Sequence, residues 1–268
     1  MPAASPSQRQ ANLDRLLGAF VPHCPPDAAL LGGASAWAER LPLTHATHLK
    51  GLEAALASNA LLSQQASGRR PGKAETLLET ADDVFFYAGA FTYPGTECGF
   101  LFLSSLEGAY PPEQSVATPF DSGALAYIVA PPPSWTDGTA FVRDHELPVP
   151  AHRTLLGRFI AGNSPSPEHF IRDPMPQCRC GAMLPHPLGL PLDDRRRSTF
   201  EVRLATRVPL DPLYLRAVFV RKGYEPRALH TLLAAGVHIE SFTADDDGKI
   251  FEAMRESCIT FLLDYMMP

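Results

Sequence analysis

The sequence predicts an α+β domain. Short apolar runs rich in aromatics, Val84-Phe85-Phe86-Tyr87 and Phe100-Leu101-Phe102-Leu103, are separated by Gly, Pro and Ser as strands are. Later, Phe200-Glu201-Val202-Arg203-Leu204 alternates with period two. Helical stripes of apolar residues flank these runs on both sides. A proline-dense stretch at 131–191 interrupts them and reads as an insertion of loops and short helices.

From the start of the chain, Leu13, Leu16, Leu17 and Phe20 fall on one stripe of a short helix, which Pro22, Pro25 and Pro26 end. Residues 42–47 read as a short strand leading into a helix with Leu49, Leu52, Leu56 and Ala60 along one side. The polar stretch 64–74 contains Gly68, Pro71 and Gly72 and reads as a loop. Strands follow at 84–87, 100–103 and 127–129. In the insertion, 154–160 has helical character, since a structureless loop of that length is rare. Order returns with the alternating 200–204 segment, expected to be a half-buried strand, and another strand at 215–220. A helix at 226–236 has proline near its start and glycine past its end. A last strand begins at Val237, and Phe251, Met254, Cys258, Phe261, Leu262 and Tyr265 line one face of a C-terminal helix. The expected organisation is an N-terminal helical extension at 1–40, a main domain at 41–242 with its insertion at about 131–191, and a helix at 243–268 packed on that domain. Both terminal helices are expected on the outside of the core.

The chain has 268 residues, 45% of them hydrophobic, which is ample for a buried core and excludes a disordered tail or a disulfide miniprotein. Its formal net charge of −6 excludes general attraction to phosphate backbones, so a nucleic-acid partner requires a local basic patch. No apolar run approaches the roughly 20 residues of a membrane span, and no secretory signal is visible at the N-terminus. Five scattered cysteines, an odd number, fit reduced thiols. The expectation is a cytoplasmic protein without a membrane partner.

Dinucleotide, P-loop, nucleophile-elbow and His-Glu-x-x-His motifs are absent. Cys178-Arg179-Cys180 with His186 lacks a second ligand pair, so no metal is expected.

Three stretches together resemble a known family. The first is Leu43-Thr44-His45-Ala46-Thr47-His48-Leu49, followed by Leu52 and by Ala57-Ser58-Asn59-Ala60-Leu61-Leu62. The second is Val84-Phe85-Phe86-Tyr87. The third is Arg195-Arg196-Arg197, then Glu201-Val202-Arg203-Leu204, Val208-Pro209-Leu210 and Leu215-Arg216-Ala217-Val218-Phe219-Val220. They resemble the DarT-like ADP-ribosyltransferases, within the wider diphtheria-toxin-like superfamily, whose motif triplet runs His, aromatic, Glu. The resemblance covers a minority of the chain. Two positions depart from the pattern: the stretch Ala90-Phe91-Thr92-Tyr93-Pro94 holds no arginine, and Gly51 stands where the family has an asparagine.

The resemblance implies a split mixed sheet flanked by helices, with a cleft between the sheet halves. It implies NAD as co-substrate and transfer of ADP-ribose to a macromolecule. Cleaving the nicotinamide–ribose bond develops an oxocarbenium-like cation, which calls for a fixed carboxylate beside the sugar. By resemblance, Glu201 is that catalytic carboxylate, His45 and Thr47 hold the ribose and the nicotinamide end, and Tyr87 stacks on the nicotinamide ring. Arg195, Arg196 and Arg197, in the loop leading to Glu201, would contact the acceptor, and three arginines on an acidic chain favour nucleic acid slightly over protein. Asp121-Ser122-Gly123 reads either as a turn before a strand or as part of the NAD pocket. Taken singly, each residue has a plainer reading: His45 packed at a strand end, Tyr87 in the core, Glu201 paired with Arg203 on a solvated strand face. The alternatives for the whole chain are a transferase acting on a protein side chain, and a non-catalytic nucleotide- or partner-binding module. A growth-slowing toxin or antiviral defence role with a neutralising antitoxin or immunity protein is what the resemblance further implies.

Overall fold

The computed structural model describes residues 3–19, 28–123, 138–174 and 195–267. In chain order the strands are β1 (Leu43–Thr47), β2 (Ala60–Leu62), β3 (Asp83–Ala88), β4 (Cys98–Phe102), β5 (Ser115–Thr118), β6 (Glu201–Ala205), β7 (Arg207–Pro209), β8 (Leu215–Arg221) and β9 (His238–Phe242). The helices are α1 (Pro6–Ala19), α2 (Ala28–Arg40), α3 (Leu49–Ser58), α4 (Lys73–Leu78), α5 (Gly138–Arg143), α6 (His152–Asn163), α7 (Pro167–Arg172), α8 (Leu229–Ala234) and α9 (Ile250–Met266). One seven-stranded sheet has the order β5-β6-β3-β1-β4-β8-β9, and β2 pairs with β7 in a separate ribbon. Every pairing in the large sheet is antiparallel except β8 with β9, which makes the sheet mixed and the architecture α+β.

The sheet is held by aromatic packing. Phe86, Phe100, Phe102 and Phe219 are fully buried, and Phe86 meets Phe102 edge-on at 5.5 Å. Gly99 in β4 has a specific reason: a Cβ there would lie 2.1 Å from the tip of the Phe91 ring, which meets Phe219 edge-on. On α9, the expected stripe of Phe251, Met254, Cys258 and Leu262 is buried, while Phe261 and Tyr265 flank it, half-buried.

Some sequence expectations are corrected. The strand expected to be half-buried, β6, is buried on both faces, with only Ala205 at its end partly exposed. Val202 and Leu204 enter the apolar core, while Glu201 and Arg203 on the opposite face are covered by other polar groups rather than by water. Val208-Pro209 lies in β7, which pairs with β2. Where it is described, the insertion holds the helix expected at 154–160, as α6. Helix α6 is almost entirely buried, and its Arg153 donates to the carbonyls of Ala38 and Leu41 at the end of α2. The same guanidinium grips Glu107 with two bonds of 2.7 and 2.8 Å. Helix α1 packs on the core through Leu13 and Leu16, and its Arg9 is buried as well. The expected strand at 127–129, Phe20 with the prolines at 22–26, and Cys178, Cys180 and His186 lie outside the described residues.

Candidate active site

Sheet register builds the site. Strand β1 pairs with β4 along its whole length but with β3 only at Leu43↔Ala88 and Thr44↔Tyr87. Beyond Thr44 the two strands part, and the sheet opens on one side of β1. His45 is the first residue past the last pair. Its Nδ1 lies 2.8 Å from the Phe85 carbonyl of β3, so a side chain spans the gap where the backbone ladder stops. A carbonyl only accepts, so Nδ1 carries the proton and Nε2 keeps its lone pair. Burial lowers the His45 pKa, and the nearby Arg69 lowers it further against the pull of the Phe85 carbonyl, so the ring is neutral.

On the other side of β3, Tyr87 stands directly opposite Glu201 of β6, and Glu201 directly opposite Thr118 of β5. Residues opposed in this way share a sheet face with Cβ atoms about 4.5–5.5 Å apart. Tyr87 and Glu201 are therefore neighbours by register alone. Glu201 is 1% exposed. Its Oε1 accepts from Ser122 Oγ at 2.6 Å and its Oε2 from the Ser122 amide at 3.2 Å. The Thr118 hydroxyl lies 3.5 Å from Oε1, as does Arg203 Nε. Burial, and next the Asp121 carboxylate, raise the Glu201 pKa to about 8, against the opposing effects of Arg203 and Ser122. The Tyr87 hydroxyl is held well above its ordinary pKa by burial first, and then by Asp121 and Glu201.

Arg203 is buried beneath this pair. It donates to Glu146 at 2.6 Å and lies 3.4 Å from Asp83. Burial works against its charge, but Glu146, Asp83 and Glu201 outweigh it and raise its pKa. Glu146 also accepts from Arg143 and, at 2.7 Å, from the Ala4 amide. Arg143 in turn donates to the Leu78 carbonyl at the end of α4, at 2.6 Å. The carboxylate face of β6 thus rests on a buried polar layer connected to α4 and to the N-terminal segment.

His45, Tyr87 and Glu201 line one cleft of about 350 Å³. Asp121, Tyr93 and Arg196 line it as well, and α4 covers it with Lys73, Glu75 and Leu78. Its walls differ in sign. Glu201 and Asp121 form an acidic floor beside an aromatic ring, and Lys73 and Arg196 stand on the walls.

The other sequence candidates divide between the cleft and the rest of the fold. Thr47 shares the face of His45 by periodicity but does not line the cleft. Its hydroxyl turns onto the first turn of α3, where a Cβ on Gly51 would lie only 2.0 Å from Oγ1; the glycine that departs from the family pattern leaves room for it. Arg195 is half-exposed with Nε 3.9 Å from Asp173, away from the cleft. Arg196 lines the cleft, and its carbonyl accepts from the Asp121 amide at 3.0 Å. The Arg197 side chain lies outside the described part of the structure. Of the two readings of 121–123, the residues stand in the cleft: Asp121 and Gly123 line it, and Ser122 holds Glu201. Sequence reasoning missed Thr118, Lys73 and Glu75. Lys-Ala-Glu-Thr-Leu-Leu after Gly72 was a local helix signal for the last two, whereas Thr118 is identified only by its register.

No family model matches the chain, and no curated protein matches it. Among solved structures it is similar to DarT of Thermus sp. 2.9 in complex with NAD+, at 12% identity and a TM-score of 0.40, covering 75% of this chain and 94% of that one. The same protein in complex with ADP-ribosylated ssDNA is similar at 12% identity and a TM-score of 0.41, covering 75% and 93% of the two chains. In complex with carba-NAD+ it is similar at 12% identity and a TM-score of 0.39, covering 78% and 97%.

Proposed function

We propose that the cleft binds NAD and transfers its ADP-ribose to a macromolecule, making the protein an NAD-dependent ADP-ribosyltransferase. The observation that carries this reading is the convergence of His45, Tyr87 and Glu201, from three strands, on one cleft at the split of the sheet. The cleft's charge pattern suits NAD, whose pyridinium ring is positive and whose diphosphate is negative. The acidic floor with Tyr87 offers a seat for the ring, and Lys73 and Arg196 offer cations to the diphosphate.

Each side chain has a defined task. The neutral His45 presents Nε2 as an acceptor for a ribose hydroxyl, fixed in direction by the bond from Nδ1 to Phe85. Tyr87 packs its ring against the nicotinamide. Glu201, gripped by Ser122, places a carboxylate where positive charge grows on the ribose as the glycosidic bond breaks. A preorganised charge of this kind needs no reorganisation during the reaction. It also accepts the proton of the attacking acceptor group.

Nucleic acid is the acceptor class we favour, on Arg196 in the cleft wall and on the adjacent arginines in sequence. The placement of Arg195 near Asp173 supports the second reading, a protein side chain as acceptor. In a cell, such an activity would slow growth unless a partner neutralised it.

Calorimetric titration with NAD tests the reading. Binding is expected in the wild type, with a loss of roughly three- to tenfold in affinity for His45→Ala, equivalent to one hydrogen bond. No heat of binding and no thermal stabilisation at millimolar NAD would contradict the proposal. Mass spectrometry of lysate treated with labelled NAD, split into nucleic acid and protein, then identifies the acceptor class.

A further inference from the structure

Glu201 is not the only carboxylate buried in the cleft. Asp121 is 3% exposed, lines the same cavity, and precedes the serine whose hydroxyl and amide both hold Glu201. Its own amide donates to the Arg196 carbonyl, which fixes the turn that carries it. We propose that Asp121 is a gating carboxylate: its charge keeps a proton on Glu201 while the cleft is empty, and the cationic ring of an entering pyridinium nucleotide displaces that proton to solvent. Glu201 then loses one proton to bulk water, and the ring supplies the positive charge that replaces it. No other bond forms or breaks. The inference rests on the reading of the cleft as an NAD site and deepens it, by making substrate entry the event that charges Glu201.

The surroundings decide which way the pair leans. Around Glu201 stand Arg203 on its own strand, Tyr87 on β3, Thr118 and Ser122 on β5 and its following turn, Asp121, and Arg196 before β6. His45, Tyr93, Lys73 and Glu75 line the same cleft. Behind Arg203, Glu146 and Asp83 already draw on its charge, and Arg143 offsets them through Glu146. Among the described residues Arg203 Nε makes no hydrogen bond, and it reaches Glu201 at 3.5 Å. One shared arginine thus serves three carboxylates. Two negative charges on buried carboxylates in one cleft repel, and the pair favours a single proton. Burial first, and then the Asp121 charge, raise the Glu201 pKa to about 8, in agreement with this arrangement.

The test uses the full chain and two readouts. In the free protein, carboxyl carbon NMR, with the Glu201 signal assigned by its loss in Glu201→Gln, follows the Glu201 titration directly. The wild type is expected to titrate near pH 8 and Asp121→Asn at least about one pH unit lower, while Asp121→Glu, which restores the charge, keeps the high midpoint. An unchanged midpoint in Asp121→Asn overturns the proposal, whatever the protein does with NAD. Calorimetry with NAD at pH 7 in two buffers of different ionisation heat then counts protons. Release approaching one proton per NAD in the wild type, and well under half of that in Asp121→Asn, supports the proposal; equal release in both overturns it. A protein that shows the NMR shift but binds no NAD keeps the paired carboxylates, overturns displacement by a pyridinium ring and contradicts the NAD reading.

Discussion

At the scale of single residues, the site combines a buried carboxylate with partners too few to hold its charge without cost. This has a consequence for stability. The Glu201 pKa is raised in the folded state to about 8 from an ordinary value of 4.5, so the folded protein binds more protons than the unfolded chain between those values. Stability therefore falls as pH rises through that window, and the loss is complete above about pH 8. Glu201→Gln keeps the shape and cannot ionise. It is expected to melt close to the wild type at pH 5 and clearly above it at pH 8, the gap widening by roughly 7–14 °C for about 3.5 kcal/mol. Melting curves across pH check this, and a gap independent of pH would place Glu201 in water. The pairing of Glu201 with Arg203 on a solvated strand face, one of the plain readings of the sequence, fails on burial alone, since both side chains are almost wholly enclosed.

At the scale of elements, what was legible follows from local pattern. The aromatic runs of β3 and β4, the turn into α3 and the stripe of α9 repeat with the periods of strand and helix, and those periods survive in the fold. The burial of β6 was not legible, because its alternation is apolar against charged, and charge reads as solvent until its partners are known. Those partners, Glu146 and Ser122, come from distant segments. The packing of α6 was hidden for the same reason. Its buried face includes Arg153, His152 and Asn163, which carry no apolar signal, and it mates with α2, which sits in a stretch without a clear stripe. Arg153 joins these helices to Glu107, itself 1% exposed. Arg153→Met would leave that carboxylate buried without its partner and strip the carbonyls at the end of α2, a loss of roughly 3–5 kcal/mol. Chemical denaturation measures it. A loss below about 1 kcal/mol would mean that α6 and α2 are not tied through this arginine.

At the scale of the whole molecule, the polar layer under the cleft connects parts of the chain far apart in sequence. Arg9 of α1 donates to the carbonyls of Pro112, at 2.8 Å, and of Ser115, the first residue of β5, while the Ala4 amide reaches Glu146. Arg9→Met is expected to cost roughly 2–5 kcal/mol, because several buried acceptors lose their donor together. A peripheral extension would tolerate the change within about 0.5 kcal/mol, and equilibrium unfolding separates the two. No helix among the described residues is long and apolar enough to cross a membrane. The cleft itself is assembled from β1, β3, β6, the turn after β5 and the cover α4, so no single segment of sequence contains it. The order of His45, Tyr87 and Glu201 was readable, but their meeting depends on the parting of β1 and β3 after Thr44. The central claim is that Glu201 acts on the breaking glycosidic bond of NAD in this cleft. Its most direct test is the rate of nicotinamide release from NAD by the wild type and by Glu201→Gln, at saturating NAD. Release by the wild type is expected, with a fall of at least about a hundredfold in the variant and NAD affinity changed only a few-fold, since the lost charge acts mainly on the transition state. Release by Glu201→Gln at the wild-type rate would contradict that claim.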